Sequence, residues 1–304
     1  MGDKKELIAN INKLKKEKNA VILAHNYQIP EVQDIADFTG DSLGLSQQAA
    51  ATEAEIIVFC GVKFMAESAK ILSPEKTVLI PEPQSLCPMA AMIEPLGLKE
   101  RKREYPGATV VTYVNSTAAV KAESDICCTS SNALQIVEAV PGEQILFVPD
   151  QNLGNYVSGQ TSKEVITWDG YCSTHHRVQP REIERVKEKH PRAPILVHPE
   201  CVSGVVDKAD YVGSTAGILE YARKSEARKL IIGTEQGLLH RLQQENPDKE
   251  FFMLSPSLIC PNMKKINLEK ILNSLENRET QIEIAEETRK KAKQALDKML
   301  ELSK

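Results

Sequence analysis

Short runs of branched apolar residues alternate along most of the chain with longer stretches whose apolar positions recur every three or four residues. That alternation predicts buried strands joined by crossover helices, and hence parallel sheets. Three of the strand runs, AVILAHNY, TVVTYVNS and PILVHPEC, break into polar residues at their ends, and the markers His25, Tyr113 and His198 stand 88 and 85 residues apart. The next runs, DIADFTGDS, ESDICCTSS and KADYVGSTA, read as a short strand, a hydroxyl-bearing turn and a helix, with Ser42, Ser130 and Ser214 separated by 88 and 84. A third beat follows in IIVFCGVKF, QILFVPDQN and LIIGTEQGL. A fourth, VLIPEPQSLCPM, VITWDGYCSTH and FFMLSPSLICPNM, carries Cys87, Cys172 and Cys260 at spacings of 85 and 88.

One period thus governs strand ends, serine turns and cysteines, which predicts a triplicated architecture. The expectation is three similar small α/β/α units with short parallel sheets, arranged around a pseudo-threefold axis with a central cleft. Residues 1–90 form the first, 91–176 the second and 177–267 the third. A charged amphipathic helix over 268–304 is expected to pack with the N-terminal helix on the first unit. In open parallel sheets ligands bind beyond the carboxyl ends of the strands, so three such ends facing one axis would share one cleft.

The chain has 304 residues, 38 basic against 42 acidic, a net charge of -4 and 5% aromatic residues. It therefore offers neither the basic footprint nor the stacking platforms of a nucleic-acid binder, and no affinity for an anionic membrane. The start, MGDKKELIANINKLKKEK, lacks an export signal, Glu6 stands where a myristoylation motif wants Ser or Thr, and no apolar run reaches membrane-spanning length. A cytoplasmic protein is expected, in a compartment that keeps thiols reduced, so the seven cysteines read as metal ligands, reactive groups or core residues.

None of the three period-marking cysteines belongs to a CxxC pair. One soft ligand from the end of each fourth strand nevertheless gives a three-thiolate site, which suits zinc with an open position or a [4Fe-4S] cluster with one iron unligated by protein. An open iron is a Lewis acid, which favours a lyase or a condensing enzyme over an electron carrier. Cys127 and Cys128 read as packing residues, and Cys60 and Cys201 fall outside the pattern.

The same geometry makes His25, Asn26 and Tyr27 a wall of the cleft, with Tyr113 and Asn115 in the second unit and His198 and Glu200 in the third. Histidine and tyrosine transfer protons, and a desolvated glutamate can serve as a general base. Ser42, Ser130, Ser131, Ser214 and Thr215 sit where helices begin; singly each is an N-cap, together they predict a cradle for carboxylates or a phosphate. No GxGxxG follows the first strand and no Walker sequence occurs, which disfavours the usual dinucleotide and P-loop sites.

Taken together, AHNYQIPEVQDIADFTGDSL, GVKFMAESAKIL, CPMA, YVNST, SDICCTSSNA, PDQNLG, GYCSTH, HPEC, ADYVGSTAG, IGTEQGLLHRL and CPNMK resemble the quinolinate synthase family almost end to end. The resemblance implies three α/β domains about a pseudo-threefold axis and condensation of iminoaspartate with dihydroxyacetone phosphate, losing phosphate and two waters, to give quinolinate for NAD biosynthesis. It implies a [4Fe-4S] cluster on Cys87, Cys172 and Cys260, and a transient contact with the enzyme that supplies iminoaspartate. By the same resemblance His25, Tyr27, Ser42, Tyr113, Asn115, Ser130, His198, Glu200, Ser214 and Thr215 contact substrate. Glu200 is the expected base, Tyr27 with His25 assists triose isomerisation and hydroxyl loss, and Tyr113 and His198 orient the intermediate. Lys224 is the nearest match to a lysine that closes over the cleft.

Overall fold

The computed structural model describes residues 2–303, in which twelve strands form three four-stranded sheets. The first contains β1 (Ala20–His25), β2 (Phe38–Gly40), β3 (Ile56–Cys60) and β4 (Thr77–Leu79), in the order β2-β1-β3-β4. The second contains β5 (Thr109–Tyr113), β6 (Ile126–Cys128), β7 (Gln144–Val148) and β8 (Glu164–Thr167), in the order β6-β5-β7-β8. The third contains β9 (Ile195–Val197), β10 (Tyr211–Val212), β11 (Lys229–Gly233) and β12 (Glu250–Met253), in the order β10-β9-β11-β12. Each sheet with its helices is called a unit below. All pairings within the three sheets are parallel. The inner strands are apolar without alternation because helices cover both faces: β3 is buried at all five positions and β1 from Val21 onward.

The triplication extends to a device that holds each sheet's first two strands in register. Asp37, Asp125 and Asp210 each accept a hydrogen bond from a backbone N–H of the first strand, Ile22, Val110 and Ile195, at 2.8, 2.8 and 2.7 Å. The backbone N–H of each aspartate donates back to the carbonyl of the same residue, at 2.9, 3.1 and 2.9 Å. In each sheet the order reverses beside the first strand, since the second strand lies to one side and the third to the other. The carboxyl end of that strand is therefore the switch point at which parallel sheets bind ligands.

The C-terminal run differs from the single helix expected. It forms two helices, Leu268–Asn277 and Glu286–Leu302. Arg278 closes the first in the left-handed region, at φ 56°, and Gln281 then makes an antiparallel bridge to Leu79 at the edge of the first sheet. The first helix does pack beside the N-terminal helix Gly2–Glu17. The second leaves that unit and lies against β6 and the helices Lys63–Leu72 and Ala118–Lys121, so it straddles the first and second units. Its Ala292, Ala295, Leu296 and Met299 are buried at helical spacing and join the core shared by those units. Among the described residues no helix is long and apolar enough to cross a membrane.

Candidate active site

The switch-point ends of all three sheets line one cavity, to which the first strands contribute His25 and Tyr27, Tyr113 and Asn115, and His198 and Glu200. Glu200 is among its lining residues and is buried. Tyr113 donates its hydroxyl to Glu200 Oε1 at 2.8 Å, and Asn115 Nδ2 lies 3.4 Å from the same oxygen. On the other oxygen, His175 Nδ1 is 2.7 Å and His198 Nδ1 3.5 Å from Oε2. Burial alone would raise this carboxyl, but the imidazoles of His198 and His175 and the hydrogen bonds from His175 and Tyr113 outweigh it and hold the group below the usual carboxylate range.

Burial lowers His25 to about 3, with His198 adding to the effect, and lowers His198 to about 4. Burial, reinforced by Glu200, pushes the phenols of Tyr27 and Tyr113 well above the ordinary tyrosine value, so both remain proton donors. Asp150, the buried N-cap of the helix Gln151–Ser158, is driven the opposite way: burial first and the Glu200 charge second raise its carboxyl. Two carboxyls whose surroundings push them apart are suited to different protonation states at one pH.

The hydrogen bonds also form a continuous chain. Tyr27 Oη is 2.6 Å from Thr234 Oγ1, Thr234 Oγ1 is 2.9 Å from His175 Nε2, and His175 Nδ1 is 2.7 Å from Glu200 Oε2. With Glu200 as acceptor, Nδ1 carries the proton and Nε2 accepts from Thr234, an assignment that gives the Thr234 hydroxyl one donor, Tyr27, and one acceptor. The chain connects a phenol of the first unit to a carboxylate of the third through a histidine of the second.

Cys87, Cys172 and Cys260 line the same cavity, and all three are free and only partly exposed. Each is followed by a short helix, Met89–Ala91, Ser173–His176 or Met263–Lys265. Burial, the larger effect, raises all three thiols, Cys87 to about 12, and backbone N–H groups of these turns offset it only in part: Ala90 and Met89 at Cys87, His175 at Cys172, and Met263 and Asn262 at Cys260. Three thiols facing one space suit a cluster held at three corners, whose iron would take the place of the protons that burial favours. Glu235 further fixes the third thiol's backbone, since it accepts from Cys260 N at 3.0 Å and pairs with Lys264 at 3.0 Å. Cys60, Cys127, Cys128 and Cys201 are buried in the core.

The hydroxyl residues divide. Ser42, Ser130 and Thr215 line the cavity. The N-cap of the helix Ser42–Ala51 is Asp41, whose Oδ1 accepts from Gly44 N at 2.9 Å, so Ser42 is its first turn rather than its cap. Ser130 stands two residues before the cap Asn132 and lies 3.1 Å from His198 Nε2. Ser214 caps the helix Thr215–Lys224 by accepting from Gly217 N at 3.2 Å and is not among the cavity-lining residues. Thr215 accepts from Asn26 Nδ2 at 3.0 Å. Because Ser214 is neutral, the positive end of that helix stays uncompensated, whereas Asp41 already neutralises its counterpart.

Lys224 is not among the residues that line the cavity in this structure. It ends the helix whose start faces the cavity, so it stands about 14 Å along the axis from Thr215 at 1.5 Å per residue. Its side chain is 74% exposed and pairs with Glu220 at 2.8 Å. Three groups of the site are not singled out by the sequence pattern: His175, Thr234 and Asp150. The last belongs to a periodic set that is visible, since Val62, Asp150 and Glu235 follow the three third-strand ends at spacings of 88 and 85.

A triplicated parallel α/β protein with buried acids, histidines and three thiols around one cavity defines the class of enzymes that work on small molecules at a shared strand-end site. Comparison with known proteins makes the assignment particular. Residues 9–301 match the family model described as "NadA: Quinolinate synthetase A protein". The chain is 56% identical to a quinolinate synthase of Alkaliphilus metalliredigens, over 97% of this chain and 98% of that one. It is 55% identical to the quinolinate synthase of Geotalea uraniireducens, over 97% of each chain. It is also 53% identical to quinolinate synthase 1 of Methanosarcina acetivorans, over 97% of each chain. The chain belongs to the quinolinate synthetase A family.

Proposed function

We propose that this chain is a quinolinate synthase that condenses iminoaspartate with dihydroxyacetone phosphate and eliminates phosphate and two waters. The observation that carries the reading is the placement of the ionised Glu200 in one cavity with the Cys87, Cys172 and Cys260 thiols. The overall conversion balances without an external oxidant or reductant. What it demands is repeated proton transfer and loss of hydroxyl and phosphate, which is the chemistry of buried acids, bases and a Lewis acid.

Cys87, Cys172 and Cys260 would hold a [4Fe-4S] cluster, whose open iron supplies Lewis acidity toward a substrate oxygen or nitrogen. Glu200 removes the proton needed for carbon–carbon bond formation, and its partners Tyr113 and His175 leave each oxygen in a defined orientation. Tyr27, with His25 beside it at a ring separation of 4.5 Å, serves the triose by donating to a departing or migrating oxygen. The Thr234–His175 chain gives that phenol a route for reprotonation. Tyr113, Asn115 and His198 orient the intermediate. Asn115 Oδ1 is buried with no partner among the described residues, which suits it to accept from a substrate hydroxyl or nitrogen.

The anionic ends of the substrates are met by hydroxyls and helix amides. No lysine or arginine is among the described cavity-lining residues, so Ser42, Ser130 and Thr215, with the uncompensated helix start behind Thr215, form the cradle. Ser214 contributes by capping that helix.

The test is anaerobic purification with iron and sulfide analysis, a visible spectrum, and a quinolinate assay on the two substrates. Four irons per chain with product, both lost in Cys87→Ala, and product alone lost in Glu200→Gln, are expected. Product formed by the Glu200→Gln protein at an unchanged rate would remove the base assignment, and a cluster without product would redirect the reading to dehydration of another substrate.

A further inference from the structure

One side of the cavity carries a second donor set that overlaps the cluster ligands at a single residue. Cys172 Sγ, a ring nitrogen of His175 and a carboxylate oxygen of Glu200 lie within 4.8 Å of one another. We propose that the cluster-free chain binds one zinc ion through Cys172, His175 and Glu200, and that this ion and the cluster exclude each other. The zinc site itself stands independently of the proposed reaction; only the exclusion rests on the cluster reading.

A thiolate, an imidazole and a carboxylate with one open position form a zinc donor set, and the thiolate and carboxylate together neutralise the dication. The separations need little adjustment. His175 Nδ1 is 3.2 Å from Cys172 Sγ and 2.7 Å from Glu200 Oε2. Tetrahedral zinc with ordinary bond lengths asks for about 3.6 and about 3.4 Å, so these two pairs need movements of roughly half an ångström, and the third pair, Cys172 and Glu200, lies within 4.8 Å. Cys172 and His175 stand three residues apart at the start of the helix Ser173–His176, so the local backbone already places both on one side.

The outer contacts are those that tighten a metal site. His175 Nε2 meets Thr234 Oγ1 at 2.9 Å, which fixes the ring and leaves Nδ1 for the metal. Glu200 Oε1 is held by Tyr113 at 2.8 Å, which leaves Oε2 free to ligate. Zinc there would withdraw Cys172 from the three thiols and the carboxylate from its proposed duty as a base. Loading with the wrong metal would block both assembly and turnover at one stroke.

The rival location for zinc is the three-thiol set Cys87, Cys172 and Cys260, and Co²⁺ distinguishes the two because the intensity of its sulfur-to-metal absorption reports the number of thiolates. Anaerobic, cluster-free protein would be titrated with Co²⁺, and Zn²⁺ affinity measured against a chromophoric chelator. The expected result is one ion per chain with the absorption of a single thiolate. Affinity should fall about 100-fold or more in Cys172→Ser and His175→Ala, and stay within about threefold in the Cys87→Ala/Cys260→Ala double variant. Absorption of three thiolates, an equal loss in the double variant, or no binding by wild-type protein would overturn the site; circular dichroism of each variant separates loss of fold from loss of ligand. Iron–sulfide reconstitution of zinc-loaded protein should proceed only after a chelator removes the zinc. A cluster assembled with zinc still bound would overturn the exclusion. A chain that assembles no cluster at all would instead overturn the cluster reading, with the cobalt result untouched.

Discussion

Lys121 offers a quantitative test of how the second unit presents Asn115 to the cavity. It is fully buried, and its ammonium donates to the carbonyls of Val114 at 2.8 Å and Ser116 at 2.5 Å, one on each side of Asn115. The Phe64 ring, which lines the cavity, lies 5.3 Å from the same nitrogen. Burial lowers the lysine from 10.5 to about 8, against the pull of the Cys127 and Glu67 side chains. That gap corresponds to about 3 kcal/mol. Below pH 8 folded and unfolded chains both carry the proton. Between pH 8 and 10.5 the unfolded chain holds more of it, so the lysine's contribution to stability rises with pH and is complete above 10.5.

The perturbation is Lys121→Met. Near pH 7.5 its net effect on stability is a small difference between opposed terms: two hydrogen bonds from a charged donor, about 1.5–3 kcal/mol each, against relief of a desolvated ammonium that costs several kcal/mol. The pH slope is therefore the decisive quantity. Trp168, the single tryptophan, belongs to the same unit and bonds Met92 O at 2.9 Å, so its fluorescence reports urea unfolding. The stability of wild type minus that of the variant should grow by about 3 kcal/mol from pH 7.5 to 10.5, other titrating groups being common to both. The variant should also show a raised KM as the Asn115 turn loosens. A difference that is flat across this range, or that falls with pH, would refute the buried ammonium.

Three further outcomes concern single contacts. A Cβ at Gly237 would lie 2.8 Å from Cα and C of Tyr27 and 2.9 Å from Gln28 O, all backbone, so Gly237→Ala should cost about 1–3 kcal/mol by urea unfolding and lower turnover by displacing Tyr27. Unchanged stability and rate would mean that the two loops are not in contact. Tyr113→Phe leaves Glu200 Oε1 with only the 3.4 Å approach of Asn115, and losing a hydrogen bond to a charge should slow turnover about 10–100-fold without altering circular dichroism; an effect under twofold would count against the network. Lys224→Ala breaks only an exposed pair with Glu220, and should leave turnover within about twofold and stability within about 1 kcal/mol; a loss of activity beyond tenfold would return this lysine to the cleft.

The strand ends are legible in the sequence because a buried parallel strand is apolar at every position, so polar residues appear only where it stops. His25, Tyr113 and His198 can be located by that break alone, and the three sheets confirm the repeated order of elements. The aspartate clamps of Asp37, Asp125 and Asp210 share the period but sit among ordinary turn residues, and only the hydrogen bonds distinguish them from solvated acids. The C-terminal run reads as one helix because its charged and apolar positions continue across Arg278. The break is made by tertiary pairing of Gln281 with Leu79, which leaves no mark in helical periodicity.

His175 is hidden for a related reason. It stands three residues after Cys172, where the matching positions after Cys87 and Cys260 are Ala90 and Met263, so its departure from the repeat is the available signal. Residue type can nominate Glu200 as a base, but not its charge state. That state depends on donors 87 and 25 residues away in sequence, Tyr113 and His175, and on burial that a strand-end position alone would not assure. Within its own unit Glu200 would meet His198 at 3.5 Å and little else. The second unit supplies Tyr113 and His175, and the first supplies Tyr27 at the far end of the Thr234 chain. A hydrogen-bonded chain that crosses three units cannot be assembled by any one of them, so this network exists only where the three sets of strand ends meet.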